Sequence, residues 1–133
     1  MTPPTFTHPV RVYYEDTDAA GVVYYANYLR FMERARTEWL AARGRSAAEL
    51  ARDPGIVFVV THADVAFRAA ARLSDLLDVG VDVVEHGRAR LVVRQDIHRD
   101  GEPVVAATIT LACLDSSTWK PRKMPSNLLE PRT

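Results

Sequence analysis

The stretch Asn27-Tyr28-Leu29-Arg30-Phe31-Met32-Glu33-Arg34-Ala35-Arg36-Thr37-Glu38-Trp39-Leu40-Ala41-Ala42-Arg43-Gly44 decides what kind of domain this chain builds. Tyr28, Met32, Ala35 and Trp39 fall at i, i+4, i+7 and i+11, and Phe31 and Leu40 widen the same stripe. Residues 26–43 are therefore predicted to form an amphipathic helix with one broad apolar face. Asn27 suits the N-cap. Gly44 suits the position just past the C-terminus, and Arg43 lies in the last turn, where the helix dipole favours a cation. A shorter helix is expected over residues 46–52, ended by Asp53-Pro54-Gly55.

Downstream, the period changes from helical to alternating. Val57, Val59, Thr61, Ala63, Val65 and Phe67 alternate with more polar neighbours such as His62 and Asp64, and Leu77, Val79, Val81 and Val83 repeat the pattern. His86-Gly87 reads as a hairpin turn into Ala89, Leu91, Val93, Gln95 and Ile97. Asp100-Gly101 is a stronger turn signal, leading into Val105, Ala107, Ile109, Leu111 and Cys113. Upstream of the helix, residues 10–14 read as a short strand and residues 15–21 as a turn of small and acidic residues. One long helix followed by about four antiparallel strands predicts an α+β domain whose sheet buries one face by curling around the helix. Such a sheet has open edges, which dimerisation would cover.

Composition narrows the function. The 133 residues fit a single domain over 1–133. Lys+Arg and Asp+Glu are both 17, so the net charge is zero and nothing draws the whole chain to nucleic acid or an anionic membrane. Cys113 is the only cysteine, which excludes an internal disulfide and suits a buried, inert thiol. Residues 1–5 lack the basic and apolar regions of a signal peptide, and no run approaches the roughly 20 apolar residues of a membrane helix. The reading is a soluble, cytoplasmic protein without membrane insertion.

Asp18 alone would be read as a turn residue. Its surroundings add to that. Gly21 lets the backbone bend tightly, and a helix follows whose first-turn N–H groups lack internal partners and whose dipole favours negative charge. A carboxylate and a row of free donors then face one small volume. That pairing suits acyl transfer: the donors polarise a carbonyl while the carboxylate attacks it or activates water. Asp16 and Asp18 also form an Asp-x-Asp pair, but His8, His62, His86 and His98 are scattered and no third ligand has metal-binding spacing. No metal is expected, and Asp16 reads as a turn or surface carboxylate. Tyr13, Tyr14, Tyr24 and Tyr28 read as core packing or pocket lining, with packing preferred.

The run Asp16-Thr17-Asp18-Ala19-Ala20-Gly21-Val22-Val23-Tyr24-Tyr25-Ala26-Asn27-Tyr28, preceded by Arg11-Val12, closely resembles the signature of the 4-hydroxybenzoyl-CoA thioesterase family. The flanking residues 12–18 and Glu33-Arg34-Ala35-Arg36-Thr37-Glu38 resemble the branch of that family associated with the bacterial Tol-Pal system. The likeness continues through Ala71-Arg72-Leu73 and Trp119-Lys120-Pro121-Arg122, so it covers nearly the whole chain. The resemblance implies a hot-dog fold and hydrolysis of short-chain or aromatic acyl-CoA, with no cofactor. Asp18 matches the family's catalytic carboxylate, and Tyr25 matches the residue whose backbone N–H polarises the thioester carbonyl. Many members of the Tol-Pal branch carry histidine at that position. A backbone donor survives the change to tyrosine, but an imidazole role does not.

Coenzyme A carries phosphates, so basic residues are expected at the mouth of the site. Arg88 and Arg90, two apart after the His86-Gly87 turn, are placed on one face of a strand and match the hairpin that holds the nucleotide end in related thioesterases. Lys120, Arg122 and Lys123 form a second set; a solvated charged surface is the alternative for both. Lys120-Pro121-Arg122-Lys123 is too short for a nucleic-acid patch in a neutral chain. Gly21 and Tyr28 complete the expected substrate-binding residues. The competing reading is a non-catalytic acyl-CoA-binding or scaffold protein of the same fold, against which Asp18 argues. A hydratase ranks below it, for want of a suitably spaced Asp and His. A homodimer, doubled into a homotetramer, is the expected assembly.

Overall fold

The computed structural model describes residues 6–129, so the absence of a targeting segment, argued from residues 1–5, lies outside the described residues. Strand β1 (Phe6–Arg11) is followed by a one-turn 3-10 helix (Tyr14–Asp16), helix α1 (Asn27–Ala42) and helix α2 (Ala47–Arg52). Strands β2 (Ile56–Phe67), β3 (Leu76–His86), β4 (Arg90–Arg94), β5 (Ile97–Arg99) and β6 (Glu102–Asp115) complete the order. They form one antiparallel sheet in the order β1-β3-β4-β6-β2, with β5 joining β3 and β6. No helix among the described residues is long and apolar enough to cross a membrane.

The predicted stripe of α1 is the core. Tyr28, Phe31, Met32, Ala35, Trp39 and Leu40 are all buried, against Val79, Val81, Leu91, Val93, Ile109 and Leu111 of the sheet. Each large side chain buried this way contributes roughly 1.5–3 kcal/mol. Gly44 takes a left-handed φ of 76° and donates to the Ala41 carbonyl at 2.8 Å, closing the helix as expected. Ser46 caps α2, accepting from the Glu49 N–H at 3.1 Å. At Asp100-Gly101 both φ angles are positive, 49° and 80°, the geometry a tight hairpin needs. Cys113 is buried, and burial pushes its thiol pKa up, as befits an inert thiol.

Several expectations are corrected. The first strand occupies Phe6–Arg11, not residues 10–14, because the Asp16 carboxylate takes the Tyr13 N–H at 2.8 Å and turns the chain out of the sheet. Pro9 is tolerated there because, among the described residues, β1 pairs only with β3. Asn27 opens α1 without capping it: Ala26 holds the N-cap position and makes no side-chain cap bond. The strand expected from Ala89 to Ile97 is broken between β4 and β5, where Asp96 accepts from the N–H groups of Gly80 and Ala107. In β2 a register shift between Val60 and His62 reverses the phase. Ile56 and Phe58 pack on the core before it and Val65 after it, so Val57 and Val59 are out of the expected phase, and of Ala63, Val65 and Phe67 it is Val65 that packs on the core.

Candidate active site

The residues between β1 and α1 fold into a small hairpin that owes its shape to Asp16. This carboxylate is 3% exposed, which corrects the surface reading. One of its oxygens takes the Tyr13 N–H at 2.8 Å and the other the Asn27 side-chain amide at 3.1 Å, while its backbone carbonyl takes the Tyr24 N–H at 2.9 Å. Asp16 thus ties both limbs of the hairpin to the first residue of α1. Thr17 and Val23 bridge the limbs, and the Val23 N–H anchors them to the Ala71 carbonyl at 2.9 Å.

Asp18 lies one step nearer the tip and is exposed. Its N–H donates to the Val22 carbonyl at 2.9 Å, its carbonyl takes the Gly21 N–H at 3.0 Å, and its Oδ1 takes the Ala20 N–H at 2.9 Å. Its second carboxylate oxygen has no partner among the described residues. Gly21 sits at φ 81° with nothing near where a Cβ would be, so backbone conformation, not space, calls for glycine. At the other end of the hairpin the N–H groups of Tyr25 and Ala26, just ahead of α1, have no acceptor among the described residues. An exposed carboxylate and free donors at a helix start therefore share one rigid loop.

The tyrosines divide. Tyr28 is buried and its hydroxyl accepts from the Ala71 N–H at 3.1 Å, so it packs and braces; burial pushes its pKa up. Tyr13, Tyr14 and Tyr24 are 60%, 81% and 47% exposed, against the packing expected of them. Tyr25 is also exposed, its ring edge-on to Phe67 with centroids 6.0 Å apart.

The basic residues do not gather around Asp18 within one chain. The hairpin is anchored at Ala71 and Arg72, just before β3, whereas Arg88 and Arg90 follow the far end of that strand. Eleven residues of strand put the two ends roughly 35 Å apart. Nor do Arg88 and Arg90 share a strand face, because Arg88 lies in the turn and β4 begins at Arg90, which pairs with Glu85 at 3.0 Å. Arg122 serves structure, donating to the carbonyls of Pro54 and Gly55 and pairing with Asp115. Lys123 is exposed and close to Arg88, whose carbonyl takes the Met124 N–H at 2.9 Å. Part of the second basic set thereby joins the first. Among the described residues no three His, Cys, Asp or Glu side chains cluster as metal ligands.

Sequence reasoning missed a cleft of about 290 Å³ between the later turns of α1 and the start of β2. Its walls include Leu40, Leu50, Ile56, Phe58, Leu91 and Leu111, with Glu33, Arg36 and Thr37 as its polar members. Behind it lies Gln95, fully buried, whose Oε1 accepts from Arg36 Nη1 at 2.7 Å. The amide nitrogen of Gln95 donates to the Met32 carbonyl at 2.9 Å. A signal for this was present: a glutamine in phase with inward apolar residues must find buried partners.

One helix wrapped by an antiparallel sheet, with a carboxylate-bearing hairpin at its N-terminus, is the hot-dog architecture. The chain belongs to the thioesterase-like superfamily, whose profile matches residues 12–131. It is 42% identical over 123 residues to the acyl-CoA thioesterase YbgC of Haemophilus influenzae, covering 92% of this chain and 90% of that one. It is 38% identical over 130 residues to the acyl-CoA thioester hydrolase YbgC of Escherichia coli O6:H1, covering 97% and 96%. The crystal structure of a probable thioesterase from Bartonella henselae superposes with a TM-score of 0.86 at 34% identity, covering 90% of this chain and 98% of that one.

Proposed function

We propose that the protein is an acyl-CoA thioesterase in which Asp18 attacks the thioester carbonyl or activates water against it. In this reading the N–H groups at the start of α1, that of Tyr25 first, take the negative charge that develops on the carbonyl oxygen. That the chain is a thioesterase follows from its family and from relatives named for acyl-CoA hydrolysis. The observation that carries the site is the hairpin itself: an exposed carboxylate held in a fixed turn, on the same braced loop as unpaired donors. Asp18→Asn tests it. The amide can still accept from the Ala20 N–H, but it can serve neither as nucleophile nor as base. Release of free CoA thiol from short-chain and aromatic acyl-CoA should fall by roughly 10²–10⁴ in kcat.

The nucleotide end of the substrate calls for a second subunit. Among the described residues strand β2 is paired on one side only, by β6, and exposes Val60 and Phe67 along its twelve residues. Such an edge invites pairing with its own copy across a two-fold axis. The register says what this would bring together. Arg90 is level with Ala112 and so with Val59, whereas Tyr25 lies on Phe67, eight residues further along β2. Antiparallel pairing of two β2 strands sets the partner's Arg88 and Arg90 near the Tyr25 end, so each site takes Asp18 from one subunit and phosphate contacts from the other.

A further inference from the structure

The cleft beside α1 contains a charge that its apolar walls do not account for. Arg36 and Glu33 are the two charged residues among those that line it. Arg36 is fixed on one side to a neutral acceptor, Gln95 Oε1, and among the described residues no carboxylate forms an ion pair with it. Burial pulls its pKa down, while the charge of Glu33 pushes the other way. Glu33 itself is exposed and accepts from Thr37 Oγ1 at 2.6 Å, so water and a hydroxyl already meet its charge. The guanidinium is the group short of a partner.

The cleft also lies in line with the site. Leu29, Glu33, Arg36 and Leu40 follow one another at helical spacing, so they share a stripe of α1, and Tyr25 precedes Leu29 by four residues just ahead of the helix. Strand β2 runs antiparallel to that stripe. Phe67, at its end, meets the rings of Tyr25 and Tyr28 with centroids 6.0 and 5.9 Å away, while Ile56 and Phe58, at its start, line the cleft. The free N–H groups at the helix start and the cleft at Arg36 therefore lie along one side of α1, against opposite ends of the same strand. Arg36 lies ten and eleven residues beyond Ala26 and Tyr25, a rise of roughly 15–17 Å, and an arginine side chain leans back toward the N-terminus, shortening the span.

We propose that the acyl chain runs along this side of α1 into the cleft and that Arg36 receives a carboxylate at the far end of the acyl group. The favoured substrates would then be CoA thioesters of dicarboxylic acids of about eight carbons. The inference rests on the thioesterase reading given above. A carboxylate meets the planar fork of a guanidinium with short, charge-assisted bonds, whereas a methyl end would bury apolar surface against an unpaired charge. Gln95 makes the arrangement specific: bonded to Met32 and Arg36 together, it fixes one nitrogen of the guanidinium and so sets the position of the group in the cleft.

The experiment compares suberyl-CoA with octanoyl-CoA, which have the same length and differ only in the far end. Butyryl-CoA, too short to reach Arg36, tests the thioesterase reading separately. The wild-type enzyme should show a kcat/KM for suberyl-CoA roughly tenfold to a hundredfold above that for octanoyl-CoA. In Arg36→Met the ratio should invert while butyryl-CoA turnover stays within about threefold of the parent. Arg36→Lys, which keeps charge but not the fork, should fall between. Equal or better use of octanoyl-CoA by the wild-type enzyme, alongside normal butyryl-CoA turnover, overturns the inference and leaves the role of Asp18 standing. Should Arg36→Met fail to fold, the wild-type ratio decides alone.

Discussion

Two aspartates two residues apart should fail in different ways when changed to asparagine. Asp16 offers an acceptor oxygen to each of two donors, the Tyr13 N–H and the Asn27 amide, at 2.8 and 3.1 Å, in a site 3% exposed. An asparagine there keeps one oxygen and turns an NH₂ group toward the other donor. One buried bond is lost and two donors are left facing each other, a cost of roughly 2–4 kcal/mol. For a chain of 133 residues that is a fall in Tm of roughly 10 °C. The hairpin would also loosen, and misplacing a reacting group by about 1 Å can cost on the order of a hundredfold in rate. Asp18 is exposed, and the one hydrogen bond to its side chain, from the Ala20 N–H, is available to an amide oxygen. Asp18→Asn should therefore keep Tm within about 2 °C of the parent while kcat collapses. Thermal unfolding followed by circular dichroism, with thiol release on the same samples, reads both quantities. An Asp16→Asn variant with parental Tm and rate would refute the bracing role. An Asp18→Asn variant that stays folded and hydrolyses its best substrate within threefold of the parent would refute the catalytic one.

Other outcomes follow from the same geometry. Replacing Arg88 and Arg90 by Ala should raise KM more than it lowers kcat, and the effect should shrink as salt rises; an unchanged KM returns both to the solvated surface. Mixing that double variant with Asp18→Asn subunits should restore activity if the site is shared, because one of the two sites in the mixed dimer is then intact; no recovery would mean that the arginines and Asp18 of one and the same subunit serve one site. A charge on the open edge, Val60→Lys, should shift a dimer toward monomer in light scattering and remove activity with it. Asp75 bears on pH. Burial opposes its ionisation, but the Arg72 N–H and the Arg99 guanidinium, the latter at 2.7 Å, hold its pKa below the ordinary carboxylate value. A lowered folded-state pKa adds stability that is present above the unfolded value and lost as pH falls through the folded one. Acid unfolding below about pH 4 should thus be steeper in the parent than in Asp75→Asn, and parallel curves would contradict this.

The helix could be read from the sequence because its signal is local. Tyr28, Met32, Ala35 and Trp39 repeat at the helical period, and Gly44 marks the end by a conformation few other residues adopt. Asp100-Gly101 announced its hairpin for the same reason, and Asp18 with Gly21 stood out as a motif of contiguous residues. Tertiary structure decided what depends on residues far apart in the chain. Asp16 and Asn27 are eleven residues apart and meet only once the hairpin closes, so nothing in their spacing sets Asp16 apart from Asp18. Arg36 and Gln95 are separated by 59 residues and meet only because α1 lies across the sheet. The bulge between Val60 and His62 depends on pairing with β6, which a strand's own alternation cannot report. Arg88 and Arg90 show the limit most clearly. Their charge was legible, but their place at the far end of β3 from Asp18 is a matter of topology. Local periodicity encodes which face of an element is apolar; which elements then meet is settled by burial of all those faces together.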